Sequence, residues 1–224
     1  MLRLVIGNKN YSSWSMRPWL AMTVAGIPFE ETVVPLDQPD TRAEIARHSP
    51  SGKVPCLIDG GIQVWESLAI LEYLAERFPD RALWPADSAA RAAARSVSAE
   101  MHAGFSALRK LLPMNLWRPI ESRALTPEAA ANVERLLAIW RDCRDRFGAD
   151  GPFLFGAFSI ADAMFAPVVT RFRTYDVAVD ETAARYMEAV ESLPAFKAWK
   201  AQALKETWVV SRSEIDWPEV KRMS

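Results

Sequence analysis

Apolar and polar positions change rhythm repeatedly in the first third of the chain. Leu2, Leu4, Val5 and Ile6 form a short apolar run that predicts a first strand. Gly7 to Ser13 is polar and reads as a turn. Met16, Trp19, Leu20, Val24 and Ile27 then recur at the spacing of one helix face, and Gly26 marks the stop. Phe29 to Val34 favours a strand and Asp40 to His48 a short helix. Val54 to Ile58 and Ile62 to Trp65 predict two strands joined at Asp59-Gly60-Gly61, which makes the segment a hairpin. From Ser67 to Phe78, Leu68, Leu71, Leu74, Ala75 and Phe78 line one side of an amphipathic helix.

This order, β-α-β-α-β-β-α, predicts an α/β domain with a mixed sheet over residues 1–79, because a helix separates the first two strands and a tight turn the last two. Residues 80–87, bounded by prolines, read as a linker. Strand signals almost vanish afterwards, and residues 88–224 predict an all-α domain. Val97, Met101, Phe105, Leu108 and Leu112 line one face of a single long helix ending near Pro113. A second long helix follows Thr126-Pro127, a cap with proline in the first helical position, and runs to Phe147. Ser159-Ile160-Ala161-Asp162 is a capping box that opens a third. Shorter helices are expected at Ala183 to Val190 and Pro194 to Leu204.

Composition narrows the function. With 27 basic and 28 acidic residues the formal net charge is -1, so no strong field draws the chain to nucleic acid or an anionic membrane, and small-molecule chemistry is favoured. The N-terminal apolar run is too short for a signal-peptide core or a membrane span, which predicts a cytoplasmic protein. Cys56 and Cys143 are far apart and lack neighbours at metal-ligand spacing, so neither a disulfide framework nor a metal site is expected.

Three places carry candidate chemistry. Pro55 sits at the start of a strand whose ladder it cannot join as a donor. Either a cis Val54-Pro55 bond turns the Val54 backbone toward an extended peptide ligand, or a trans proline lies on a sheet edge. At Trp65-Glu66-Ser67 a strand meets a helix. The Ser67 hydroxyl and first-turn amides can take a carboxylate and Glu66 an ammonium, the grip an α-amino acid needs; plain helix capping explains Ser67 as well. The loop Asn8 to Trp19 contains Ser12 and Ser13 near a helix N-terminus, where a hydroxyl can donate to a thiolate and lower its pKa, or can cap the helix. Tyr11 fits a supporting role, and Cys56 and Cys143 fit burial.

Tyr11-Ser12-Ser13-Trp14-Ser15-Met16-Arg17, Gly52-Lys53-Val54-Pro55, Glu66-Ser67-Leu68-Ala69-Ile70-Leu71-Glu72-Tyr73-Leu74 and Phe158-Ser159-Ile160-Ala161-Asp162 together resemble the cytosolic glutathione transferases over nearly the whole chain. The serine element is similar to that of the zeta class, the maleylacetoacetate isomerases. The resemblance implies a thioredoxin-like N-terminal domain that holds glutathione, a helical domain that holds the co-substrate, and a homodimer. It implies Ser12, with Ser13 second, as donor to the thiolate. Trp14, Lys53, Val54, Pro55, Glu66 and Ser67 would contact glutathione, while Trp14, Met101, Phe105, Leu108 and Trp117 would wall the co-substrate pocket. Trp14 stands where the zeta pattern has cysteine, and Lys53 where it has glutamine. The implied activity is attack of the glutathione thiolate on a small electrophile, by conjugation, isomerisation or peroxide reduction, with detoxification as the role. A non-catalytic glutathione carrier of the same fold is the alternative, and a dithiol oxidoreductase is disfavoured by serines in the active-site loop.

Overall fold

In the computed structural model, which describes residues 1–223, the early alternation of elements becomes a four-stranded sheet in the order β2-β1-β3-β4. β1 (Leu2–Ile6) pairs in parallel with β2 (Phe29–Val33), Leu2 opposite Phe29, and antiparallel with β3 (Cys56–Asp59), Val5 opposite Cys56. β4 (Ile62–Trp65) completes the hairpin. Side chains alternate across β1 as the pleat requires. Leu2, Leu4 and Ile6 enter the main core with α1 (Ser13–Val24) and α3 (Ser67–Arg77), while Val5 meets Val34, Cys56 and Ile45 of α2 (Thr41–Ala46) on the other face. β3 begins after the cis Val54–Pro55 bond, two residues later than the apolar run suggests, because proline offers no ladder N–H.

The second half holds α4 (Ser88–Ala103), α5 (Ser106–Leu111), α6 (Pro127–Phe147), α7 (Ile160–Thr174), α8 (Glu181–Ser192) and α9 (Pro194–Ala203). α7 is its centre: every residue from Ile160 to Phe172 is buried, and the helix packs against both α4 and α1. The capping box forms as the sequence implies, with Asp162 accepting from Ser159 N at 2.8 Å and Ser159 Oγ at 3.1 Å, and also from Leu154 N at 3.1 Å. One core runs through both halves, from Leu4 and Ile70 to Val168 and Trp199. The connecting segment joins it: Leu83 and Trp84 are buried, and Trp84 Nε1 donates to Glu72 Oε2 at 3.0 Å.

One expectation is corrected. The long helix expected to end at Pro113 is two helices, broken at Gly104 and Phe105. Phe105 has φ +63°, in the left-handed region, and a Cβ on Gly104 would lie 2.9 Å from the Glu100 carbonyl oxygen. Arg109 holds the break by donating to Gly104 O at 3.0 Å and to Met101 O, so its guanidinium caps the end of α4. The apolar spacing persists across the break, which is why the pattern alone reads as continuous.

Candidate active site

A cavity of about 680 Å³ opens where the loop before α1, the segment Gly52 to Val54 and the α2 region face Arg109, Pro113, Met114 and Arg171 of the second half. Arg212 and Ser213 close part of its rim.

Residues remote in sequence fix the loop. Asn8 Oδ1 accepts from Leu36 N at 2.7 Å, and Asn10 Oδ1 accepts from Leu116 N at 2.7 Å and Trp117 N at 3.0 Å. The backbone amides of Lys9 and Asn10 donate to the Glu206 carboxylate at 2.7 and 2.9 Å, and Trp199 Nε1 donates to Lys9 O at 3.0 Å. Tyr11 donates its hydroxyl to Glu214, which also accepts from Asn115 Nδ2 at 2.9 Å. Burial and that carboxylate push the Tyr11 pKa up, so the phenol serves as an anchor and not as an acid.

With the loop held, Ser12 and Ser13 are both buried in the cavity wall but make different bonds. Ser12 is the N-cap of α1, and its hydroxyl donates to Ser15 Oγ at 2.7 Å. Ser15 Oγ also accepts from Gly7 N at 3.0 Å, which ties the cap to the end of β1. Ser13 Oγ instead accepts from Arg171 Nη2 at 3.3 Å.

Trp14 stands between two cations, its ring 4.3 Å from the Arg17 guanidinium and 4.7 Å from that of Arg109, with the His102 ring edge-on at 5.3 Å. Arg17 and Arg171 are buried, and neither they nor Arg109 has a carboxylate partner among the described residues. Burial lowers the pKa of each. Arg171 falls to about 9, with Arg109 as the second cause, and Arg109 falls to about 10. Arg17 is lowered by burial and then by the other two arginines. Its Nε and Nη2 lack hydrogen-bond partners. The result is a concentration of positive charge that the protein does not neutralise.

The cavity wall therefore brings together Ser12, Ser13, Trp14, Lys53 and Val54, with Pro55 following in the cis bond. Glu66 and Ser67 lie outside that wall and are bonded to His102 and Arg17, the two side chains that also pack on Trp14. Ser67 Oγ accepts from Arg17 Nη1 at 3.4 Å, and Glu66, at φ +67°, has a carboxylate oxygen 3.5 Å from His102 Nε2. Burial, then Arg17, lower the His102 pKa, against an opposing pull from Glu66. Met101, Phe105, Leu108 and Trp117 do not reach the wall. The first three are core residues, and Trp117 is turned away, donating Nε1 to Ala203 O at 2.8 Å with Arg222 over its ring. The break after α4 explains this, since it presents Arg109 to the cavity where an unbroken helix would continue an apolar stripe. Cys56 and Cys143 are buried, and burial raises both thiols, Cys143 to about 12, so neither is a nucleophile. Pattern reading misses Arg17, Arg109 and Arg171. Neighbouring basic residues hide two of them, since Arg171 is followed by Arg173 and Arg109 by Lys110, so the sequence does not mark which cation is buried.

Residues 11–77 match the family model for the glutathione S-transferase N-terminal domain, and residues 123–200 that for the C-terminal domain. The chain belongs to the glutathione S-transferase family. A probable maleylacetoacetate isomerase from Caenorhabditis elegans is 29% identical over 84% of this chain and 88% of its own length. Glutathione S-transferase T1 from Arabidopsis thaliana is 32% identical over 72% of this chain and 69% of its own. Among solved structures, a maleylacetoacetate isomerase from Anaeromyxobacter dehalogenans with GSH bound in its active site is 26% identical, with a TM-score of 0.64 over 90% or so of each chain, 89% of this one and 94% of the other. The thioredoxin-like sheet and helical second domain of this transferase are thus those of its family.

Proposed function

We propose that this transferase binds glutathione along the cavity wall between Val54 and the start of α1 and directs its thiolate at a small electrophile held against the helical domain. The observation that carries this reading is the placement of two buried serine hydroxyls at a helix N-terminus, beside guanidinium groups without carboxylate partners, in the wall of one cavity. Such a site favours a sulfur anion over a neutral thiol through donated hydrogen bonds, the helix dipole and nearby cations. In this reading Val54 pairs with the peptide backbone and Lys53 meets the glycyl carboxylate, both from the lining of the cavity. Ser67 and Glu66 take the γ-glutamyl end in the same reading. The protein's share of catalysis is ionisation and positioning of the nucleophile.

The family and its named relatives support conjugation or isomerisation as the reaction class; a cytoplasmic location and a detoxifying role belong to the same proposal. A homodimer fits the open sheet edge at β4, where Ile62 and Trp65 are exposed. Calorimetry with glutathione, followed by ultraviolet titration of the bound thiolate band against pH, tests the reading. Binding with ionisation well below that of the free thiol is expected. Binding with unshifted ionisation identifies a carrier, and no binding defeats the reading.

A further inference from the structure

Of the uncompensated cations around the cavity, Arg171 is the one in contact with a candidate thiol-binding hydroxyl. Its guanidinium is fixed in plane by two backbone carbonyls, Leu112 O at 2.8 Å from Nε and Pro167 O at 3.0 Å from Nη1. Pro167 matters here: the residue lies one helical turn before Arg171, and the side chain folds back along α7 to reach it. Two fixed points leave the rigid fork a single direction for Nη2, and that direction ends on Ser13 Oγ at 3.3 Å.

A hydroxyl that accepts from a cation keeps its own proton for another acceptor and becomes a stronger donor. Ser12 has no such freedom, because its proton is engaged with Ser15 Oγ at 2.7 Å as part of the α1 cap. The two adjacent serines therefore divide the work. One builds the helix start, and the other faces the cavity with an available O–H and a buried cation behind it.

Resting on the glutathione reading above, we infer that Arg171 is the positioning residue that sets the acidity of the bound thiol, acting through Ser13. The thiol proton leaves to solvent water, the sulfur keeps the electron pair, and the Ser13 O–H donates to the resulting anion. Arg171 stays protonated throughout and makes no contact with sulfur. Arg109, which lines the same cavity, adds to the field but is committed to capping α4. The second domain thus takes part in activating the nucleophile as well as in receiving the electrophile.

The test compares wild type with Ser12→Ala, Ser13→Ala, Arg171→Lys, Arg171→Gln and the Ser13→Ala/Arg171→Gln pair. Glutathione affinity is read by calorimetry, and ionisation of the bound thiol from the thiolate band and the pH profile of kcat/KM. Ser13→Ala and Arg171→Gln should each move ionisation upward by about one pH unit, a tenfold loss of thiolate at fixed pH below it. The pair should move it no further than the larger single change, because the residues act in series. Arg171→Lys should recover part of the shift, and Ser12→Ala should weaken folding more than it moves ionisation. If Arg171→Gln binds glutathione with unchanged ionisation, the inference falls. Should that variant not fold, Ser13→Ala decides alone: unchanged ionisation there, or a shift confined to Ser12→Ala, overturns the proposal. Wild type that fails to bind glutathione defeats the function reading, a result distinct from every outcome among the variants.

Discussion

Two buried cationic sites flank the loop before α1, and the protein treats them in opposite ways. Lys9 donates to both oxygens of Glu31, at 2.6 and 2.7 Å, and to Gln202, and its ammonium lies 5.0 and 5.5 Å from the rings of Trp19 and Trp199. Every donor has a partner, and Glu31 also takes Trp19 Nε1 at 2.5 Å. Arg17, Arg109 and Arg171 have carbonyls, hydroxyls and an aromatic face, but no anion among the described residues. Taking a charge out of water costs several kcal/mol unless a counter-charge compensates. At Lys9 the fold supplies that counter-charge and locks the two domains together. Beside the cavity it leaves the place open, and an anionic ligand is the natural partner.

The comparison breaks most visibly if the paired site is made to resemble the open one. Glu31→Gln leaves Lys9 buried without a carboxylate and should lower unfolding free energy by about 3 kcal/mol in urea titration, with glutathione affinity nearly unchanged. A loss under about 1 kcal/mol would show that the pair is no stronger than a surface bridge.

Asp162 is the anionic counterpart, a buried acid stabilised by donors alone. Burial raises its pKa from 3.8 to about 6, against the pull of the bonds from Leu154 and Ser159. A group whose folded pKa is raised holds its proton better in the native state, so its contribution is fully present below pH 4 and is lost as pH rises through 6. The slope approaches about 1 kcal/mol per pH unit inside that window. Asp162→Asn should flatten this part of the stability profile, and an unaltered profile would assign the slope elsewhere.

The smallest stability effect belongs to the open site. Arg17→Met removes a buried cation with unmet donors and relieves repulsion from Arg109 and Arg171. It should leave stability within about 1 kcal/mol of wild type or raise it, while glutathione affinity falls about tenfold. Loss of both together would mean that Arg17 is structural.

Local chemistry was legible in the chain. The hairpin at Asp59-Gly60-Gly61, the helix opened at Ser67 and the capping box at Ser159 each follow from residues a few positions apart, and each forms. Val54 and the serine loop could be found because a proline in a strand and paired serines before a helix are anomalies within short windows, whereas Lys53 came only from the family resemblance. The roles of Ser12 and Ser13 could not, since they depend on Ser15 and on Arg171, the latter 158 positions away. Met101, Phe105 and Leu108 show the opposite difficulty. Their spacing tells that they share a buried face but not which partner covers it, and the turn at Gly104 gives the cavity Arg109 instead.

The loop that carries the serines has a particular place in time. Residues 8–13 are synthesised well before the residues that hold them, since their bonds run to Asn115, Arg171, Trp199, Glu206 and Glu214. Domains emerging from the ribosome fold from the N-terminus onward, so the sheet can assemble early while its serine loop still samples many shapes. Only when the segment around Glu206 and Glu214 arrives can that loop settle. A nascent chain halted before Trp199 would carry the glutathione-facing sheet without a working thiol site, and reactivity would begin only once α9 and the segment through Glu214 had followed the domain that bears the serines.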